Sequence, residues 1–154
     1  MTSRRIFLMR FSVGTCAVVL GATAAWSASG IEYLTIPTPL KAATLARYAD
    51  NCVGFLRNDM KIRLPNIDLT SWKAKQSIAN VTGDPRQGDV ALIAVPKGEA
   101  APYGHVAMVD SVTAKSITIL EANFRSGRVT MRRASGRDLT DAKAQLRIYG
   151  FYRP

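Results

Sequence analysis

Residues 104–123 read Gly-His-Val-Ala-Met-Val-Asp-Ser-Val-Thr-Ala-Lys-Ser-Ile-Thr-Ile-Leu-Glu-Ala-Asn. Two β-rich runs lie in this stretch, His105 to Thr113 and Ser116 to Ala122, and only Ala114-Lys115 separates them. A connection that short pairs the runs as an antiparallel hairpin. Upstream, Val90 to Val95 is an unbroken apolar run between Gly88 and Pro96, the pattern of a buried strand. A loop from Pro96 to Gly104 joins it to the hairpin. Downstream, Val129 and Met131 alternate in a fourth candidate strand and Leu146 to Tyr152 make a fifth. Before position 89 the period is helical. Thr38-Pro39 supplies an N-cap hydroxyl and a proline at the first helical position, and Leu40, Ala43, Ala46 and Ala49 line one face through Asp50. Asp50-Asn51 offers a second N-cap, after which Cys52, Phe55 and Leu56 share a face and Cys52 lies in the first turn. Gly54 weakens that helix by about 1 kcal/mol relative to Ala. A third short helix is expected over Ser71 to Ala79, with Asp68 and Thr70 as capping candidates and Trp72 and Ile78 in its core contacts. Helices first and strands second describe an α+β fold with a mostly antiparallel sheet.

The 154 residues are 47% hydrophobic and 21% charged, with a mean hydropathy near zero. That excludes collagenous, disordered and multi-span membrane classes and allows one compact domain. Two cysteines and one histidine leave no room for a disulfide framework or a Cys/His zinc cluster, so neither metal nor cofactor is expected. At the N-terminus Arg4-Arg5 precedes apolar residues, and Phe11 to Ala25 carries no charge. This resembles a twin-arginine export signal. The stretch is short and diluted by Ser12, Gly14, Thr15 and Gly21, so cleavage is favoured over retention as a membrane anchor, which needs about 20 apolar residues. Ala22, Ala24, Ala25, Ser27 and Ala28 offer several cleavage sites. The expected organisation is a signal peptide over 1–29 and a single domain over 30–154, monomeric, exported to the periplasm or exterior of a bacterium. Cys16 falls within the leader, which leaves Cys52 as the single mature thiol, either buried and inert or kept free to react.

His105 is the only histidine and stands at a strand start, just after Gly104. Glu121 and Asn123 are two apart at the end of the next strand, so period-2 geometry sends both to one face. Across a hairpin closed at 114–115, position 121 lies opposite 108, and a diagonal or bulged offset is needed to bring it to His105. A thiol in a helix first turn, a histidine and a carboxylate or amide form the parts list of thiol nucleophilic catalysis. The helix N-terminus and an imidazolium lower the thiol pKa. His105 takes the thiol proton and returns one to the leaving amine, while Glu121 or Asn123 accepts from the other ring nitrogen. Tyr103, beside this site, serves equally well as a substrate-stacking ring or as a loop anchor.

Five ordered pieces, Asn51 to Arg57, Pro85 to Val90, Gly104 to Val109, Glu121-Ala122-Asn123 and Tyr149 to Pro154, resemble the cysteine, histidine-dependent amidohydrolase/peptidase (CHAP) family over about residues 45–154. The resemblance implies a papain-like fold, with a helix-borne cysteine packed on a small antiparallel sheet. It also implies hydrolysis of amide bonds in bacterial peptidoglycan, as a muramoyl-alanine amidase or an endopeptidase. By position, Cys52 matches the nucleophile, His105 the base, Glu121 the orienting acid and Asn123 the accompanying polar residue. Some members carry separate wall-binding domains or bind calcium; no second domain is expected here, and no Asp-x-Asp-x-Asp-Gly-like loop occurs.

The charge balance of 21 basic against 11 acidic residues gives +10. Arg125, Arg128, Arg132, Arg133 and Arg137 concentrate it around a Ser126-Gly127 turn, in a pattern expected to place many of them on one solvated face. An export signal and the lack of aromatic interleaving argue against nucleic acid, and attraction to an anionic cell envelope is the expected partner chemistry. The alternatives to an exported cysteine amidase are a catalytically silent wall-binding module of the same fold and a basic anionic-surface or nucleic-acid binder.

Overall fold

Residues 30–36, 51–124 and 128–154 are described by the structure, a computed structural model. The expected export signal, the helix expected through Asp50 and the expected turn at Ser126-Gly127 with Arg125 lie outside the described residues. Six strands form one antiparallel sheet. They are β1 (Gly30–Leu34), β2 (Val90–Ile93), β3 (His105–Val112), β4 (Ser116–Ala122), β5 (Val129–Ser135) and β6 (Ile148–Tyr152). Their spatial order is β1-β5-β4-β3-β2-β6. Among the described residues three short helices accompany them: α1 (Cys52–Asn58), α2 (Trp72–Ser77) and α3 (Leu139–Gln145). None of the helices among the described residues is long and apolar enough to cross a membrane.

The central strands are covered on both faces, which is why β2 reads as an unbroken apolar run. On one face Val90, Leu92, Val106, Leu120 and Ala122 pack with Phe55 and Leu56 of α1. On the other, Ala91, Ile93, Ala107, Val109, Ile117 and Ile119 pack with Ala142 of α3 and with Leu146. The hairpin forms as its short connection requires, but its register is irregular. Val112 pairs with Ile117 and Ser111 with Thr118, whereas Val109 pairs with Ile119 and Met108 with Leu120, the shift falling at Asp110. A regular ladder would set Glu121 opposite Met108, on the face away from His105. The extra residue moves it into line with Ala107, two positions from His105 and on the same face. One bulge therefore decides whether the two side chains meet.

Two elements escape the sequence reading. β1 pairs with β5 from Gly30↔Ser135 to Leu34↔Met131, yet Ile31 and Tyr33 stay more than 40% exposed, so no buried periodicity marks it. α3 is announced only by its cap: Asp138 accepts from the Asp141 N–H at 2.9 Å. The helix expected over Ser71 to Ala79 is shorter and is capped by Ser71, which accepts from the Ala74 N–H at 3.1 Å. Asp68 instead closes a turn on Thr70, accepting from its N–H and its hydroxyl. The chain end is fixed where Arg153 donates through two nitrogens to the buried carboxylate of Asp89, at 2.8 and 2.7 Å, so two of the motif pieces far apart in sequence are one contact.

Gly104 leads into β3 with φ +59°, and a Cβ there would overlap the Trp72 ring. Gly104→Ala is expected to cost about 2 kcal/mol, from backbone strain and overpacking together. Urea unfolding of the variant beside the parent checks it, and an unchanged midpoint would show that the α2 contact yields freely.

Candidate active site

The site begins with the first turn of α1. Asn51 caps that helix, its Oδ1 accepting the Gly54 N–H at 2.7 Å. A Cβ on Gly54 would press into the Asn51 side chain, 2.9 Å from its Cγ, so the helix-weakening glycine is the residue that lets this cap close. Cys52 follows, a free thiol that is partly buried. Opposite stands His105 at the first position of β3, 5% exposed. Its Nε2 lies 3.0 Å from Oε2 of Glu121, and the ring lines the same cleft as the Cys52 thiol, which leaves Nδ1 as the nitrogen available to the sulfur. Sulfur, imidazole and carboxylate thus stand in series.

Glu121 is fully buried. Arg132 donates to it through Nε and Nη2, the latter at 2.9 Å, and the Thr130 hydroxyl donates at 3.1 Å. Arg132 also stacks its guanidinium 3.5 Å from the centre of the Phe124 ring, and Phe124 meets His105 edge-on at 5.5 Å. Arg132 is only 3% exposed, which corrects the expectation of a shared solvated arginine face. Alternation on β5 turns Arg132 inward and Arg133 outward. Arg128 and Arg137 are exposed, the latter paired with Asp141.

Asn123 does not continue the strand. It follows Ala122 with φ +63°, so the period-2 argument that placed it on the face of Glu121 stops one residue short. It lines a cleft of about 620 Å³ together with Cys52, His105, Lys75, Tyr103 and Phe124. Tyr103 stands 56% exposed at its rim. Lys75, 2% exposed, donates to the carbonyls of Tyr103 at 2.7 Å and Thr70 at 3.0 Å. No group of three potential ligands among the described residues could hold a metal. The reading from sequence missed Lys75, Phe124, Thr130 and Arg132. The β4–β5 register, which sets Glu121 opposite Thr130, was a usable signal for the last two; nothing in the sequence singles out Lys75.

Burial alone pushes the Cys52 thiol up, but the hydrogen bond with His105, the charges of His105 and Lys75 and the Val106 N–H outweigh it, lowering the pKa to about 7. Burial pushes His105 down, and its hydrogen bonds and charge interactions with Cys52 and Glu121 outweigh that, raising it to about 9. Glu121, though burial raises it, is held below the usual carboxylate range by His105 and Arg132. Between these limits the sulfur is an anion and the ring a cation, the state that thiol-based acyl transfer needs.

A helix-borne thiol, a buried imidazole and an ionised carboxylate on an antiparallel sheet make up a site with the parts of a thiol hydrolase. The chain belongs to the CHAP domain family, which matches residues 42–123 and so takes in Cys52, His105, Glu121 and Asn123; such domains are generally amidases or peptidases. A solved structure described as "The crystal structure of Ly7917 with the hydrolyzing product of MDP" is similar at 25% identity and a TM-score of 0.35. The similarity covers 52% of this chain and 34% of that one, so the chain spans about a third of that protein's length. Comparison with curated proteins gave no match.

Because Glu121 and Arg132 are buried together, removing one strands the other. Arg132→Met is expected to cost about 3–5 kcal/mol of stability. Adding Glu121→Gln to it should cost less than the sum of the two single changes. Denaturant unfolding of the four proteins measures this, and strict additivity would mean that the pair is not coupled.

Proposed function

We propose that this protein is an exported cysteine amidohydrolase or peptidase that hydrolyses amide bonds of bacterial peptidoglycan. The observation that carries the reading is the buried His105 ring, held at 3.0 Å by the Glu121 carboxylate and lining one cleft with the Cys52 thiol. Family membership supports the amide bond as the target. The helix-borne cysteine against an antiparallel sheet supports a papain-like architecture, and Arg4-Arg5 before an uncharged apolar stretch supports export.

In this reading the Cys52 thiolate attacks the amide carbon and the tetrahedral oxyanion forms. As it collapses, the C–N bond breaks and the His105 imidazolium gives its proton to the departing amine. The acyl group is left as a thioester on Cys52. His105, now neutral, takes a proton from water as the hydroxide adds to the thioester carbon, and the carboxylic product leaves as the thiolate–imidazolium pair returns. Glu121 accepts from Nε2 throughout, which fixes the ring and stabilises its charge. Asn123 lines the same cleft, which supports it as a donor to the oxyanion, where one donor is worth roughly 3 kcal/mol. Tyr103 offers an aromatic face at the rim. Exposed Arg128 and Arg133 are available to an anionic envelope.

The pH dependence follows from the two shifts. The Cys52 pKa is lowered, so what its anion contributes to stability is complete above the thiol's ordinary 9.0 and is lost as pH falls through about 7. The His105 pKa is raised, so what its cation contributes is complete below 6.5 and is lost as pH rises through about 9. A bell-shaped kcat/KM with limbs near those two values is expected on muropeptides, the limbs belonging to the coupled pair. Cys52→Ala should remove turnover and leave the fold intact, whereas a silent wall-binding module has no turnover to lose. Glu121→Gln takes away the charge that holds the imidazolium, so the alkaline limb should move down and the bell narrow. Asn123→Ala should lower the whole profile without moving either limb. Retained activity in Cys52→Ala, measured by mass spectrometry of the digest, would defeat the mechanism.

A further inference from the structure

We propose that Lys75 is a positioning residue for the Cys52–His105 pair: its ammonium pins the backbone that delivers the histidine and keeps a fixed positive charge beside the sulfur. The inference rests on the thiolate–imidazolium reading given above. Three consecutive residues ahead of His105 are gripped by one helix. The Trp72 N–H donates to the Pro102 carbonyl at 2.8 Å, the Trp72 ring fills the space beside Gly104, and Lys75 donates to the Tyr103 carbonyl at 2.7 Å. Trp72 and Lys75 are three apart on α2, so they share a face. The second bond from Lys75, to the Thr70 carbonyl at 3.0 Å, ties another segment that lines the cleft to the same ammonium.

A staple alone would not require a charge. Lys75 is 2% exposed, and among the described residues no carboxylate lies within ion-pair distance of it. Burial pushes its pKa down, against the opposing pull of Cys52 and Asp68; its two carbonyl partners present the negative ends of their dipoles to the ammonium. The other charged groups around the sulfur are already engaged. Arg57 of α1 donates to the Pro65 and Ile67 carbonyls, Asp68 accepts from Thr70, and Glu121 and Arg132 neutralise each other behind the ring. The ammonium of Lys75 lines the same cleft as the Cys52 thiol and favours its anion, with Asp68 as the opposing charge on that side.

The test is alkylation of Cys52 by iodoacetamide against pH on the full chain, followed at the Cys52 peptide by mass spectrometry so that Cys16 does not contribute. Lys75→Met removes the charge and both hydrogen bonds. Lys75→Gln removes the charge and keeps a donor for the Tyr103 carbonyl, so it remains informative if the methionine variant folds poorly. Both variants are expected to shift the alkylation midpoint up by about one pH unit, which slows the reaction about fivefold at pH 7 and leaves the alkaline plateau unchanged. Lys75→Gln should keep a Tm close to that of the parent. An unmoved midpoint in Lys75→Gln would overturn the proposal and leave Lys75 a loop staple. A parent midpoint near that of an ordinary thiol would instead remove the thiolate–imidazolium reading itself, a different result on the same curve.

Discussion

A carboxylate sealed between strands must find hydrogen bonds or give up its charge, and Glu121 finds four: one from His105, one from Thr130 and two from Arg132. Those donors stand on β3 and β5, on either side of the strand that carries the carboxylate. The group that orients the imidazole is thereby also the group that holds three strands in one register. Arg132 does more than neutralise it, because the guanidinium lies against Phe124, and Phe124 in turn meets the histidine ring. Site geometry and sheet stability are parts of one network, so changes at Arg132 or Thr130 reach the chemistry without touching a substrate.

The network exists because of a local irregularity. Asp110 is the extra residue between Val109 and Ser111, and without it the side chains of β4 would be reversed relative to the first half of β3. Counting from the hairpin turn puts position 121 opposite 108, which is the wrong face. A bulge carries no compositional mark, so the sequence supports the partners Glu121 and His105 without supporting their contact. The reversal also shows in the packing, since odd-numbered residues of β3 up to Val109 and the even-numbered Val112 face the same cluster.

What could be read from sequence was whatever burial writes as a pattern. The α+β order, β2 to β6, the Asn51 cap and the placement of Cys52 in a first turn follow from periodicity and cap chemistry. β1 did not, because an exposed edge strand has no apolar alternation to display, and α3 is so short that only Asp138 and Asp141 mark it. At the site, Cys52 stands in a helix first turn and His105 at a strand start, as the sequence suggested, while Glu121 reaches His105 only through the bulge at Asp110. Asn123 left the strand geometry because its backbone enters the left-handed region. Arg132 was assigned to the solvated surface because a run of arginines looks uniform in sequence, while a strand sends successive members to opposite faces. Lys75 was invisible for a plainer reason: its carbonyl partners lie in separate loops, and backbone acceptors leave no trace in residue identity.

The account turns on the state of one sulfur. Ultraviolet thiolate absorbance of the purified protein, titrated against pH with Cys52→Ala subtracted as reference, reads that state without any substrate. The account predicts a thiolate that appears with a midpoint of about 7 and moves to higher pH in Glu121→Gln, where the imidazolium loses its carboxylate. A midpoint near the ordinary thiol value of 9.0, the same in both proteins, would contradict it.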